Sequence, residues 1–199
     1  MEHEDLTPFA SVVIIRTDQE EPNFVLEEKT PGYPAERLVG GICLIGGVGN
    51  ASRHANFLDT IKAEVQEEFR LRPDIGNEVI RRLEYWRGFT STSPGEYVSP
   101  PRRTNYTFKV AVFNCVFPGD IASELGIIGG STLLIDEGKV GVYSEKDLET
   151  LPFVWGYDKI VERYIGERLG RTRMLQHKLP GVVIADADVD PRIPYRKMR

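Results

Sequence analysis

One stretch, Asn56 to Leu71, limits the folds open to this chain more than any other. Leu58, Ile61, Val65 and Phe69 recur at helical spacing, which predicts an amphipathic helix with one buried stripe. At about 100° per residue, Glu67 lies ~60° to one side of Glu64 and Glu68 ~40° to the other. The three carboxylates therefore share a face, roughly a quarter-turn from the apolar stripe. Asn56 is placed to cap the start, with Asp59 three residues on. Pro73 discourages continuation.

The segments around this helix read as several strands and two further helices. Phe9 to Ile15 and Asn23 to Glu28 read as two strands that can form a hairpin. Thr30 to Pro34 reads as loop. Leu38 to Ile45 is apolar and runs into Gly46-Gly47-Val48-Gly49-Asn50. Such glycine density allows positive φ and close approach of a ligand. Val79 to Phe89 is strand-like, Thr90 to Arg103 reads as a Ser/Thr/Pro/Gly-rich loop, and Asn105 to Phe117 alternates as a clear strand. Thr132 to Ile135 and Lys139 to Tyr143 read as short strands around a turn at Asp136-Glu137-Gly138. Ser144 to Leu151 reads as a short helix capped by Ser144 with Asp147 three residues on. Tyr157 to Leu169 is a last amphipathic helix closed by Gly170. Residues 1–170 form the expected domain and 171–199 a C-terminal extension, in which Val182 to Ile184 can pair as an edge strand. Asp186, Asp188 and Asp190 look solvated. Their spacing lacks the glycine and late glutamate of a calcium loop.

Composition narrows the function. The net charge of −5 argues against a general nucleic-acid or anionic-membrane binder. No apolar run is long enough to span a membrane. The acidic N-terminus lacks the pattern of a secretory signal. The two cysteines lie in apolar runs and the three histidines are scattered, so neither a disulfide framework nor a histidine metal cluster is expected. A cytoplasmic location is expected.

Three carboxylates on one helix face repel one another, and a divalent cation relieves the repulsion. Hard oxygen donors suit Mg2+ or Mn2+. Taken alone, an acidic helix face is usually plain solvation. A strand and a Gly-Gly turn before the acidic helix offer more, because they can place a backbone carbonyl beside the acids.

Here the sequence resembles the Nudix hydrolase family. Gly46-Gly47 matches the glycine turn of that family's box, and Glu64-Val65-x-Glu67-Glu68-x-x-Leu71 matches its helix. Ala63 stands where the box has arginine, Arg70 where it has glycine, and Arg53 where it has its first glutamate. The gap before the helix is two residues longer, so Val48 to Ala55 is expected to bulge as a loop. In the family the missing glutamate and arginine mainly support the loop and the helix acids. The segment Asp136 to Leu148 is similar to the family's late acidic turn, strand and capped helix.

The resemblance implies a Nudix-type α/β/α sandwich with a central mixed sheet. It also implies metal-dependent hydrolysis of a small-molecule nucleoside diphosphate derivative. Glu64 and Glu68 would be metal ligands, with Glu67 and the Gly47 carbonyl in the shell. Glu64 or Glu137 would be the base, although Glu137 reads better as a plain turn residue. Lys29, Arg37 and Arg53 are candidate phosphate contacts, and Arg37, next to an apolar run, reads as easily as a snorkelling surface side chain. Tyr85, Trp86 and Phe89 can stack on a base but read better as core. The alternative is a catalytically inactive Nudix-like module that binds a nucleotide or a protein, with nucleic acid an unlikely partner.

Overall fold

The computed structural model describes residues 8–97, 104–119, 132–134 and 138–195. Its centre is β1 (Phe9–Thr17), which pairs antiparallel with β2 (Asn23–Lys29) and parallel with β6 (Tyr106–Phe117). A strand projects successive side chains to opposite faces. Phe9, Val13 and Ile15 therefore join one apolar cluster while Ala10, Val12 and Ile14 join another. Both sides of β1 are buried, which is why it reads as a continuous apolar run rather than an alternating one.

Each cluster is closed by a helix. On one face α1 (Phe57–Glu68) contributes Phe57, Ile61 and Val65. On the other, α3 (Tyr157–Leu169) contributes Ile160, Val161, Tyr164 and Ile165. The result is the expected α/β/α arrangement around a mixed sheet. Asn56 caps α1, its side chain accepting from the Asp59 amide at 2.9 Å. At the far end of α3, Gly170 takes a left-handed conformation (φ 67°), as its role in closing the helix requires. The short helical turn Asp147–Thr150 is entered through Ser144, which exchanges hydrogen bonds with Asp147.

The remaining strands complete the sheet. β3 (Ile42–Cys43) and β4 (Ile45–Val48) pair with β2 and β1, and β8 (Gly138–Ser144) pairs with β2 and with β7 (Leu133–Leu134). The turn between β7 and β8 lies outside the described residues. Among those residues, no helix is long and apolar enough to cross a membrane.

Two expectations are corrected. Val79 does not begin a strand: Pro73–Arg81 is a second helix, α2, and β5 runs from Glu84 to Ser93. Proline stands at the first helical position, where its missing N–H leaves nothing unpaired. Ile75 and Val79, four apart, face the core, and Glu78 accepts from both Arg81 and Arg82. Nor is Thr90 the start of a loop. β5 stays paired with β6 as far as Ser93↔Tyr106, and the Thr92 and Thr107 hydroxyls meet across the pair at 2.9 Å. Hydroxyl residues that look like loop suit a half-exposed strand when a partner lies alongside.

Residues 171–195 build onto the same sheet. β10 (Gln176–His177) lies parallel to β9 (Pro152–Phe153), and β11 (Val183–Ala187) lies antiparallel to β5. Asp186 is not merely solvated, since Arg163 and Arg87 both reach it. Beyond β11, Val189 and Tyr195 enter the core beside α1.

The cap at Asn56 sets where the acidic helix begins. Asn56→Ala is expected to lower stability by about 1 kcal/mol, read from the urea midpoint, with Asn56→Ser recovering most of the loss.

Candidate functional site

The turn from β4 to α1 builds the site. β4 runs beside β1 with Gly46 opposite Val12 and Gly47 opposite Ser11. Gly46 has φ 142°, and a Cβ there would lie 2.1 Å from the Ser11 carbonyl oxygen. A Cβ at Gly47 would lie 2.3 Å from Glu64 Oε2. The absent side chain is thus what lets the Glu64 carboxylate rest against the strand backbone. The close approach expected of these glycines is made by the protein's own acid. The loop from Gly49 to Asn56 then bulges before α1, organised by Asn50, whose Oδ1 accepts from the Ser52 amide and whose carbonyl accepts from the Arg53 and His54 amides.

Glu64, Glu67, Glu68, Gly46 and Gly47 all line one cleft of about 500 Å³. Glu68 is 7% exposed, Glu64 is half-buried, and Glu67 is exposed. Among the described residues, no three His, Cys, Asp or Glu side chains are arranged as a ready-made metal cage. The donor set still suits a hard cation. Mg2+ commonly takes one or two carboxylates and fills its shell with water and substrate phosphate, so a three-donor cage is not what it requires.

Lys29 lines the same cleft. Its ammonium meets Glu27 Oε1 at 2.6 Å, both side chains are buried, and the Cys43 thiol lies 3.2 Å from Glu27 Oε2 as donor. The ammonium also sits 4.8 Å from the centre of the Tyr33 ring and 6.0 Å from that of Trp155. Burial opposes its charge, but the Glu27 carboxylate, by charge and hydrogen bond, favours the ammonium, and the Lys29 pKa is held well above the ordinary lysine value. Burial, joined by the Glu27 charge, pushes the Cys43 thiol up, so it stays protonated at neutral pH.

The other proposed contacts are placed differently. Arg37 is exposed, 2.9 Å from an exposed Glu96 carboxylate, and does not line the cleft. Arg53 is exposed on the loop before α1 and does not line it either. Glu137 lies outside the described residues.

Tyr33, Tyr106, Phe108, Trp155 and Tyr157 are the aromatic residues of the lining. Tyr106 and Phe108 lie on the alternating strand legible in the sequence, whereas Tyr33 and Trp155 stand out by no periodicity. Trp155 has φ 54°, a left-handed conformation that for a bulky residue costs on the order of 1–3 kcal/mol. Its neighbours hold it there. Ser91 Oγ donates to its carbonyl at 3.1 Å, and the next amide, Gly156, donates to His177 Nε2 at 3.2 Å. Its ring meets Tyr33 and Tyr157 edge-on, at 6.3 and 5.9 Å between centroids. The only trace in the sequence is the aromatic density of Phe153-Val154-Trp155-Gly156-Tyr157 just ahead of a helix. Tyr85, Trp86 and Phe89, by contrast, are packing residues. Tyr85 donates to the Val189 carbonyl, Trp86 packs on Tyr164, and Phe89 is buried.

No protein-family model matches this sequence, and no curated protein matches it. Solved structures do resemble it. The NUDIX domain of Shewanella oneidensis NrtR complexed with ADP ribose is 11% identical with a TM-score of 0.52, over 78% of this chain and 84% of that one. A mutT/nudix family protein from Listeria innocua is 14% identical with a TM-score of 0.51, over 80% and 92%. Shewanella oneidensis NrtR complexed with a 27mer DNA is 11% identical with a TM-score of 0.50; the match covers 78% of this chain but only 59% of that one. At such identities the likeness is one of fold.

The buried pair beside the cleft has a measurable signature. Lys29→Met leaves Glu27 without its cation and is expected to cost about 3–5 kcal/mol in urea unfolding, with much of it restored by Glu27→Gln in the same chain. Because the folded-state pKa of Lys29 is raised, its contribution is complete below the unfolded-state value and is lost as pH rises through the folded-state value. Wild-type stability should therefore show no loss from this pair at neutral pH, only one above the ordinary lysine range.

Proposed function

We propose that this chain, which has the Nudix fold, is a metal-dependent hydrolase of a nucleoside diphosphate linked to another group. The observation that carries the reading is the meeting of Glu64, Glu67 and Glu68 with the Gly46-Gly47 turn in one cleft. Glu64 and Glu68 would hold the cation, with Glu67 and the Gly47 carbonyl completing the shell. Bound there, Mg2+ or Mn2+ neutralises phosphate charge and lowers the pKa of water.

The chain's own groups do the rest. Glu64, resting on the glycine backbone, is the first candidate for taking a proton from water, and Glu137 is the second. Tyr33 and Trp155 offer faces on which a planar ring can stack. Lys29 presents a positive end beside them, although Glu27 already balances its charge. Arg53, on the loop leading to the acid helix, and Arg37, which pairs with Glu96, are the candidate cations for a phosphate reaching beyond the cleft.

A second reading is a module that binds its ligand without hydrolysing it. Two observations favour it. The residues at positions 53 and 63 do not supply the glutamate and arginine that support the helix acids in the family the sequence resembles. And one structural neighbour, NrtR, is seen with ADP ribose in one structure and with DNA in another. That neighbour gives no support to the expectation that nucleic acid is an unlikely partner. A nucleotide derivative as ligand is common to both readings.

The experiment is a screen of nucleoside diphosphate compounds with Mg2+ or Mn2+, scored for release of phosphate or a monophosphate, beside thermal unfolding with and without Mn2+. Wild type is expected to melt higher with Mn2+ and to turn over at least one compound. Glu68→Gln should abolish both effects while leaving the metal-free melting temperature near that of wild type. No Mn2+ shift and no turnover in wild type would hand the assignment to the binding module.

A further inference from the structure

The loop before α1 and the first turn of that helix lead into the acid face, which lies further along the helix at Glu64, Glu67 and Glu68, yet Arg53 and Ala63 provide no acid–base pair to brace them. Another segment makes contact in this place. The Tyr195 ring stacks on Phe9 at 4.4 Å and 5° between planes, and meets Phe57, the first residue of α1, edge-on at 5.2 Å. The Tyr195 amide donates to the Ala55 carbonyl at 2.9 Å, and the Pro191 carbonyl accepts from the Leu58 amide at 3.1 Å. The Tyr195 hydroxyl lies 2.6 Å from Thr60 Oγ1. Thr60 directs its own proton to the Asn56 carbonyl at 3.1 Å, so the phenol is the donor to Thr60. The same hydroxyl fills the space over Gly49, where a Cβ would lie 2.6 Å from it.

These contacts reach both ends of the loop, at Gly49 and Ala55, and then Phe57, Leu58 and Thr60 in the first turn of the helix. Glu64 follows Thr60 by one turn. Tyr195 is 3% exposed, and burial pushes its hydroxyl up to about 12 against the opposing pull of the neighbouring Thr60 and Ser11 hydroxyls, so it keeps its proton at any ordinary pH. A buried, fully engaged phenol at this junction can fix the helix axis with respect to the glycine turn. Small errors in that placement matter for a site whose donors must stand within about half an ångström of their working geometry.

We propose that Tyr195, carried by the segment after β11, is the positioning residue of the acidic site, holding the 49–56 loop and the first turn of α1 so that Glu64, Glu67 and Glu68 face the glycine turn. The assignment rests on the hydrolase reading for the purpose of the acids, but not for the mechanical role of Tyr195. The segment 188–195 is in this view a part of the site and not an appendage to the domain.

The test compares full-length wild type, Tyr195→Ala, Tyr195→Phe and Leu175→Ala. Leu175 is a buried residue of the same C-terminal segment that packs in the cluster on the other sheet face. Two quantities are read: the apparent Mn2+ constant from melting-temperature titration, and amide exchange at residues 57–60 against that of β1 and β6. Tyr195→Ala should weaken Mn2+ binding roughly tenfold, as loss of an outer-shell support does. It should also speed exchange at Leu58 and Thr60 while β1 and β6 stay protected. Tyr195→Phe keeps the ring between Phe9 and Phe57 and loses only the bond to Thr60, so it should weaken binding roughly threefold. Leu175→Ala should lower the melting temperature and leave the Mn2+ constant near wild type. The proposal is overturned if exchange at 57–60 is unchanged in Tyr195→Ala, or rises equally through the sheet. It is also overturned if Leu175→Ala weakens Mn2+ as much as Tyr195→Ala does. If Tyr195→Ala does not fold, Tyr195→Phe decides, and a wild-type Mn2+ constant with wild-type exchange at Thr60 overturns it. Should wild type itself show no Mn2+ response, the hydrolase reading fails, and exchange alone then decides whether Tyr195 holds the helix.

Discussion

The candidate site hangs from β1. That strand is paired with β2, β4 and β6, and each pairing delivers something different. The parallel partner β6 widens the sheet so that each face can hold a helix. The antiparallel partner β4 carries Gly46 and Gly47 to positions opposite Val12 and Ser11. The Ser11 hydroxyl, fully buried, donates to the Phe57 carbonyl at 2.8 Å and so ties the first residue of α1 to the middle of the same strand. One strand thus fixes both the glycine turn and the acid helix. A slip of one residue in β1 would exchange its two apolar faces and take Ser11 away from the helix. The two cores resist that slip, and the site inherits their rigidity.

The cleft built this way is acidic. Its charged lining consists of three glutamates and Lys29, and Glu27 has already matched the lysine's charge at 2.6 Å. A bare phosphate entering the cleft meets carboxylates, and like charges repel. A phosphate accompanied by a divalent cation meets the opposite situation. The pairing of Lys29 with Glu27 therefore does more than satisfy a buried ammonium: it cancels the one positive charge of the cleft's described lining. The aromatic lining adds a surface that charge does not affect.

How much of this could be read from residues alone depends on whether the determinant was local. The stripe of Leu58, Ile61, Val65 and Phe69 and the cap at Asn56 are local, and they specify α1 and its acid face. The alternation of β6 and the unbroken apolar run of β1 are local too, and they specify the sheet's centre. What was not legible depended on distant partners. Thr90 to Ser93 has the composition of a loop and becomes strand because β6 lies alongside. Val79 has the composition of a strand and becomes helix because Pro73 starts a turn whose apolar side the core can cover. Trp155 enters the cleft because Ser91 and His177 hold its backbone in a conformation that no propensity favours. Lys29 was legible as a cation near the site, but its partner two residues earlier on the same strand was not. Glu27 points inward, and nothing in a short polar run says which acid does so.

Tyr195 packed flat on Phe9 joins residues 186 positions apart. A chain emerging from the ribosome is made from its N-terminus at about 5–20 residues per second, so β1 exists for several seconds or longer before that partner does. During this interval β1, β2 and β6 can pair and most of both cores can form. The Phe9 and Phe57 rings stay uncovered, and the junction that orients the acid helix stays loose. The sheet is therefore free to form early, whereas the geometry at the mouth of the cleft is completed only when residue 195 has left the tunnel. During synthesis, forming the sheet and completing the mouth of the cleft are separate events in this protein, and the interval between them is set by translation.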